Sequence, residues 1–108
     1  MDYTTGLSPV TVEALAMLGA RVRLARRERG WKATDLAERV GVSPTTIRKV
    51  EHGDPTVALG IAFEAATLVG VPLFHPERSR RALEAEYVAA RLAVLPAAVR
   101  REPVDDDF

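Results

Sequence analysis

Residues 34–53, TDLAERVGVSPTTIRKVEHG, constrain this chain more than any other stretch, because two helix stops and one helix start fall within twenty positions. A first helix is expected from about Thr34 to Val40. Leu36, Ala37 and Val40 form one apolar stripe, and Asp35 sits near the positive end of the helix dipole. Gly41 ends it, since a glycine accepts the left-handed conformation of a sharp turn without a Cβ penalty. Val42 can then seal the corner. Ser43 offers an oxygen to the free N–H groups of a second helix, and Pro44 loses nothing at the first helical position. In that second helix Ile47 and Val50 point inward. Thr45, Arg48, Lys49 and His52 are left outside or on the flanks, and Gly53 closes the element.

Two short helices across a tight turn, the second basic on its outer face, follow the plan by which a helix-turn-helix enters the major groove of DNA. The chain here resembles the Xre/Cro-repressor-like helix-turn-helix proteins, from LGARVRLARRERGW at Leu18 through ATLVGV at Val71. The resemblance implies an all-α, five-helix lambda-repressor/Cro-like domain. It also implies that Arg26 and Glu51, at positions where relatives carry an arginine and a glutamate, pair across helices and fix the recognition helix. Two departures stand out. Relatives usually carry a phosphate-holding glutamine where this chain has Ala33, and several carry a base-reading side chain where it has Pro44. Base readout would then fall to Thr45, Lys49 and Arg48, with Ser43 and Thr46 touching phosphates. Lysine and arginine can donate to guanine O6 and N7, and threonine can meet a thymine methyl.

A net charge of zero would by itself argue against nucleic acid, but the charges are segregated. Residues 1–53 hold nine Lys or Arg and six acids, and residues 54–108 hold six and nine. The window from Arg21 to Lys49 has nine basic groups against three acids, a balance of +6 on the reading unit. At 108 residues and 47% hydrophobic content, one modest core is expected. The chain has no cysteine, which excludes a disulfide framework and fits a reducing compartment. MDYTTGLSPV lacks the basic and long apolar regions of a secretory leader, so the cytoplasm is the expected location. Residues 56–74 are apolar enough to suggest a membrane span. Glu64 in the middle, with Gly60, Gly70 and Pro72, argues against one.

Outside the central pair, Ser8 and Pro9 start a helix expected to reach Arg29, with a bend at Gly19 and with Leu15, Leu18, Val22 and Ala25 as its inner face. Arg21, Arg23, Arg27 and Arg29 lie off that stripe and could meet DNA backbone or merely solvate the helix. Trp31 is expected to pack on the core. A further helix, about Ala58 to Val69, would turn Leu59, Ala62, Phe63, Ala66 and Val69 inward. Pro76 opens another, reaching about Leu95, with Leu83, Tyr87, Ala90 and Val94 as a stripe for its own domain, a dimer mate or a partner. The expected layout is therefore a helix-turn-helix domain over 1–74, a C-terminal helix over 75–96 and a disordered acidic tail over 97–108. In that tail Asp105, Asp106, Asp107 and Phe108 could form a short partner-binding motif.

GDPTVALG at Gly53, LVGVPLF at Leu68 and the closing VDDDF resemble the HipB-type antitoxins, a branch of the same family encoded beside HipA-type serine/threonine kinase toxins. What that resemblance implies is a homodimer that represses its own operator and restrains the kinase, with Tyr87 and Asp105 to Phe108 as partner-binding residues. Catalysis is the poorest reading: the two histidines fall on a helix end and in a loop, and there is no nucleophile set, phosphate loop or paired-carboxylate face. No cofactor or metal is expected. The alternatives are a solitary Xre-type regulator and a protein-interaction module that has lost DNA binding.

Overall fold

The computed structural model describes residues 6–97, and among them every regular element is helical. The elements are α1 (Pro9–Glu28), α2 (Ala33–Val40), α3 (Pro44–Glu51), α4 (Leu59–Leu68) and α5 (Arg78–Ala93). The chain divides between Leu73 and Phe74 into two units, the first carrying α1 to α4 and the second α5. The acidic tail with Asp105, Asp106, Asp107 and Phe108 lies outside the described residues.

In the first unit the core is small and aliphatic. Val22 of α1, Leu36 of α2, Ile47 of α3 and Ala65 and Ala66 of α4 are fully buried, and Ala37, Val50, Val69 and Val71 join them. α1 contributes Val22 and the other three helices two residues each, at spacings of one or three, so four amphipathic elements share one apolar centre. α1 begins where Ser8 caps it, its hydroxyl oxygen accepting from the Thr11 N–H, with Pro9 next. α1 runs as one unbroken helix through Gly19. Gly19 is buried because it lets α1 approach the end of α3: a Cβ on it would lie 2.5 Å from the Val50 carbonyl oxygen and 2.6 Å from that of Glu51. Gly53 does the reverse. It takes a φ of 74° and lies so close to α1 that a Cβ would come 2.9 Å from the Ala16 nitrogen.

The inner face of α4 is the expected one at Ala62, Phe63, Ala66 and Val69, and departs from expectation at Leu59 and Ala65. Leu59 is 67% exposed, and the inner face runs through Ala65, Ala66 and Val69 with Ala62 and Phe63 partly covered. Only Glu64 and Thr67 are polar in LGIAFEAATL, so periodicity defines the edges of that face poorly. The apolar stretch 56–74 is a loop, this helix and a second loop. Among the described residues no helix is long and apolar enough to cross a membrane.

In the second unit α5 begins at Arg78, two residues after Pro76, and ends at Ala93. None of its residues is buried, so the expected stripe of Leu83, Tyr87, Ala90 and Val94 lies open.

Candidate nucleic-acid interface

The turn between α2 and α3 is built from local hydrogen bonds. Gly41 takes a φ of 86°, and the N–H groups of Gly41 and Val42 both donate to the Ala37 carbonyl, at 2.8 and 3.0 Å. Ser43 then caps α3, its hydroxyl oxygen accepting from the Thr46 N–H at 3.2 Å and lying 3.0 Å from the Thr46 hydroxyl. These two hydroxyls therefore organise the start of α3; the bond between them uses one of their two protons, which leaves the other to be donated to a phosphate oxygen. Replacing Ser43 by alanine should cost about 1 kcal/mol of stability, readable as a lowered denaturant midpoint with an unchanged slope.

Beyond the cap, Ile47 and Val50 anchor the inner side of α3, while Thr45, Arg48 and Lys49 are exposed. Thr45 stands three residues before Arg48 and four before Lys49, so the three share one outer face. Pro44, the first residue of α3, is half-buried. Ala33 is the first residue of α2 and likewise half-buried, packed against the core. The Asp35 carboxylate accepts from the Lys32 N–H at 2.7 Å, closing the start of α2.

α3 is fixed from behind by Arg26 and Glu51. Arg26 Nε donates to Glu51 Oε2 at 2.6 Å and Nη2 to Oε1 at 3.0 Å, while Nη1 donates to the Trp31 carbonyl at 2.7 Å. Both residues are buried. The hydrogen bonds to Glu51 outweigh the desolvation that opposes them, so the guanidinium is held above its ordinary value. A raised value in a basic group adds stability that is complete below the unfolded value, and so throughout the neutral range, and is lost only in strong alkali. At the far end of α3, Asp54 accepts from the Thr56 N–H at 2.8 Å and hydroxyl at 2.6 Å, bonds that hold its carboxyl below the usual carboxylate range. Its contribution is present at neutral pH and fades as the pH falls through that lowered value.

Trp31 packs against the core as half-buried surface, and two arginines flank its ring, Arg39 at 4.0 Å and Arg29 at 5.5 Å from the centroid. Arg29 Nε also donates to the Val69 carbonyl at 3.2 Å, tying the end of α1 to the end of α4. Arg29 therefore has a structural task, while Arg21, Arg23 and Arg27 remain exposed on α1. The Trp31–Arg39 stack has no sequence signal, because the two are eight apart and on different segments. Tyr87, on α5, is 62% exposed and carries Arg91 over its ring, the guanidinium donating to the phenolic oxygen at 2.9 Å.

A helix-turn-helix domain family matches residues 17–77, somewhat more than half of the chain, and the chain belongs to that family. Over 58 residues it is 33% identical to a Pyrococcus furiosus protein provisionally named an HTH-type transcriptional regulatory protein. That alignment covers 54% of this chain but 18% of the relative, so the chain spans less than a fifth of the relative's length. No solved structure matches the chain.

Proposed function

We propose that the chain is a transcriptional regulator that binds double-stranded operator DNA through α3. The observation that carries this reading is the division of α3 into two sides: Ile47, Val50 and Glu51 lock it to the domain, and Thr45, Arg48 and Lys49 stand free outside. Thr45, Lys49 and Arg48 address base edges, and Ser43 and Thr46 address phosphates. Affinity falls steeply with salt as phosphate contacts release counterions. A homodimer sets two such helices about 34 Å apart, one turn of duplex, and so reads a two-fold operator. The finer reading is an autorepressing antitoxin that restrains a HipA-type kinase, with Tyr87 and the Asp105 to Phe108 motif as partner contacts. It is supported by the GDPTVALG, LVGVPLF and VDDDF segments.

The test is a gel-shift titration against DNA from just upstream of the chain's own gene, with scrambled competitor, repeated with the adjacent gene product. The antitoxin reading expects a specific shift that tightens with the neighbour. A shift indifferent to the neighbour leaves a solitary regulator. Absence of a specific shift, with a stable complex formed by the neighbour, overturns DNA reading in favour of an interaction module.

A further inference from the structure

α5 carries an apolar arc with charges placed inside it. Leu83 and Tyr87 form one edge and Val88 and Leu92 the other, each between 53% and 63% exposed, and Val94 and Leu95 follow just past the end of the helix. Between the two edges lie Glu84 and Arg91, seven residues apart and so stacked within about 20° of one another along the helix. Within a solvated helix these two groups gain only the modest local contacts of i, i+4 neighbours, Arg80 for Glu84 and Tyr87 for Arg91. Their positions matter when a second helix covers the arc.

We infer that α5 pairs with α5 of a second copy of this chain, antiparallel, about a two-fold axis passing between Tyr87 and Val88. In that register Glu84 meets Arg91 of the second copy and Arg91 meets its Glu84. Like edges meet across the seam: Tyr87 lies beside Tyr87 of the second copy on one side and Val88 beside its Val88 on the other. A parallel, in-register pair would set Glu84 against Glu84 and Arg91 against Arg91, so like charges would stand together at both levels. Arg91 already lies back over the Tyr87 ring with one donor on the phenolic oxygen, which leaves other guanidinium donors for a carboxylate.

A second charge pattern points the same way. The first turn of α5 has no acid and carries Arg78, Arg80 and Arg81, the wrong sign for its own dipole. Arg81 is engaged locally, its Nη1 donating to the His75 and Pro76 carbonyls at 2.9 and 2.8 Å. Arg80 lies close to the same midline, four residues before Glu84, and in the antiparallel pair it comes beside the negative C-terminal end of the other helix. The pairing supplies the dimer of the proposed function and rests on that reading for its purpose. Its geometry makes no use of DNA.

Sedimentation equilibrium of the full chain without DNA tests it. A helix pair of this length is at the small end of specific interfaces, so a roughly micromolar dimer is expected. Glu84→Arg alone and Arg91→Glu alone should each weaken it by about tenfold or more, through like charges facing across the seam, and the double swap should restore it. Because the chain has no cysteine, Val88→Cys gives a second readout: next to the axis, it should cross-link to its own counterpart under mild oxidation, and Ala89→Cys, on the outer side of α5, should not. Far-UV circular dichroism checks that helix content is unchanged. A monomer at 200 µM, roughly a hundred times the expected constant, overturns the inference, as does a dimer indifferent to both single reversals. Arg48→Ala with Lys49→Ala should leave the dimer intact, so loss of pairing and loss of DNA reading are separately visible.

Discussion

Glu51→Ala should lower the stability of the domain by about 3–5 kcal/mol, because it leaves the Arg26 guanidinium buried with two of its donors facing the core. Against a total of about 5–15 kcal/mol that is a large share, and the melting temperature should drop by at least about 12 °C. The pair itself is not expected to stabilise by that amount. Both charges had to leave water to meet, so Arg26→Met with Glu51→Leu should recover most of the loss. Recovery should stop short of complete, since the Trp31 carbonyl then lacks the Arg26 Nη1 donor that it holds at 2.7 Å. Thermal unfolding of the three variants by circular dichroism checks this. A single-variant loss under about 1 kcal/mol would mean that the pair behaves as an exposed one. What the pair supplies is position: it joins the last turn of α1 to the last residue of α3 and sets the pitch of the outward face.

The second large effect belongs to Gly19. Replacing a helical glycine by alanine normally stabilises by about 0.5–1 kcal/mol, yet Gly19→Ala should destabilise by about 1–3 kcal/mol. The added Cβ would meet the Val50 and Glu51 carbonyl oxygens at 2.5 and 2.6 Å, and these are backbone atoms that cannot swing aside. The helices would have to part, loosening the Arg26–Glu51 bridge beside the contact. Gly60, in α4, has nothing within 4 Å of the position its Cβ would take, so Gly60→Ala should be neutral or mildly stabilising. Calorimetry on both variants separates the accounts: equal and small changes would show that α1 and α3 are not held in close contact.

How far these features could be read from the residues depends on the range of the physics. The α2–turn–α3 unit was legible because its stops and starts are local: Gly41, Ser43 and Pro44 each act on the next few peptide groups. The facing of α4 was legible in part: Ala62, Phe63, Ala66 and Val69 lie inward as expected, but a helix with two polar residues in ten presents apolar surface nearly all round, and only its neighbours decide that Ala65 is covered and Leu59 is not. Gly19 reads in sequence as a weak point in a helix. Its use as a contact becomes visible only when the backbone of α3 lies against it, thirty residues on. Trp31 reads as core, but the arginines on its ring come from the end of α1 and from α2, positions that no periodicity links. Arg26 and Glu51 are legible only by resemblance, since 25 residues separate them and neither carries a local mark. Of the proposed site, Ser43, Thr45, Thr46, Arg48 and Lys49 follow from the helix-turn-helix plan. Asp105 to Phe108 rest on sequence alone.

The central claim is that the outer face of α3 reads DNA, and the most direct measurement is the binding of upstream DNA by Arg48→Ala/Lys49→Ala at moderate salt, beside the unaltered chain. Both side chains are exposed on the side away from Ile47 and Val50, so the fold and its melting temperature should be unchanged. Two base-reading contacts, at about 1–3 kcal/mol of discrimination each, are removed with two positive charges, and specific binding should be abolished. If the folded double variant shifts the same DNA with the affinity of the unaltered chain, α3 is not the reading surface and the account fails.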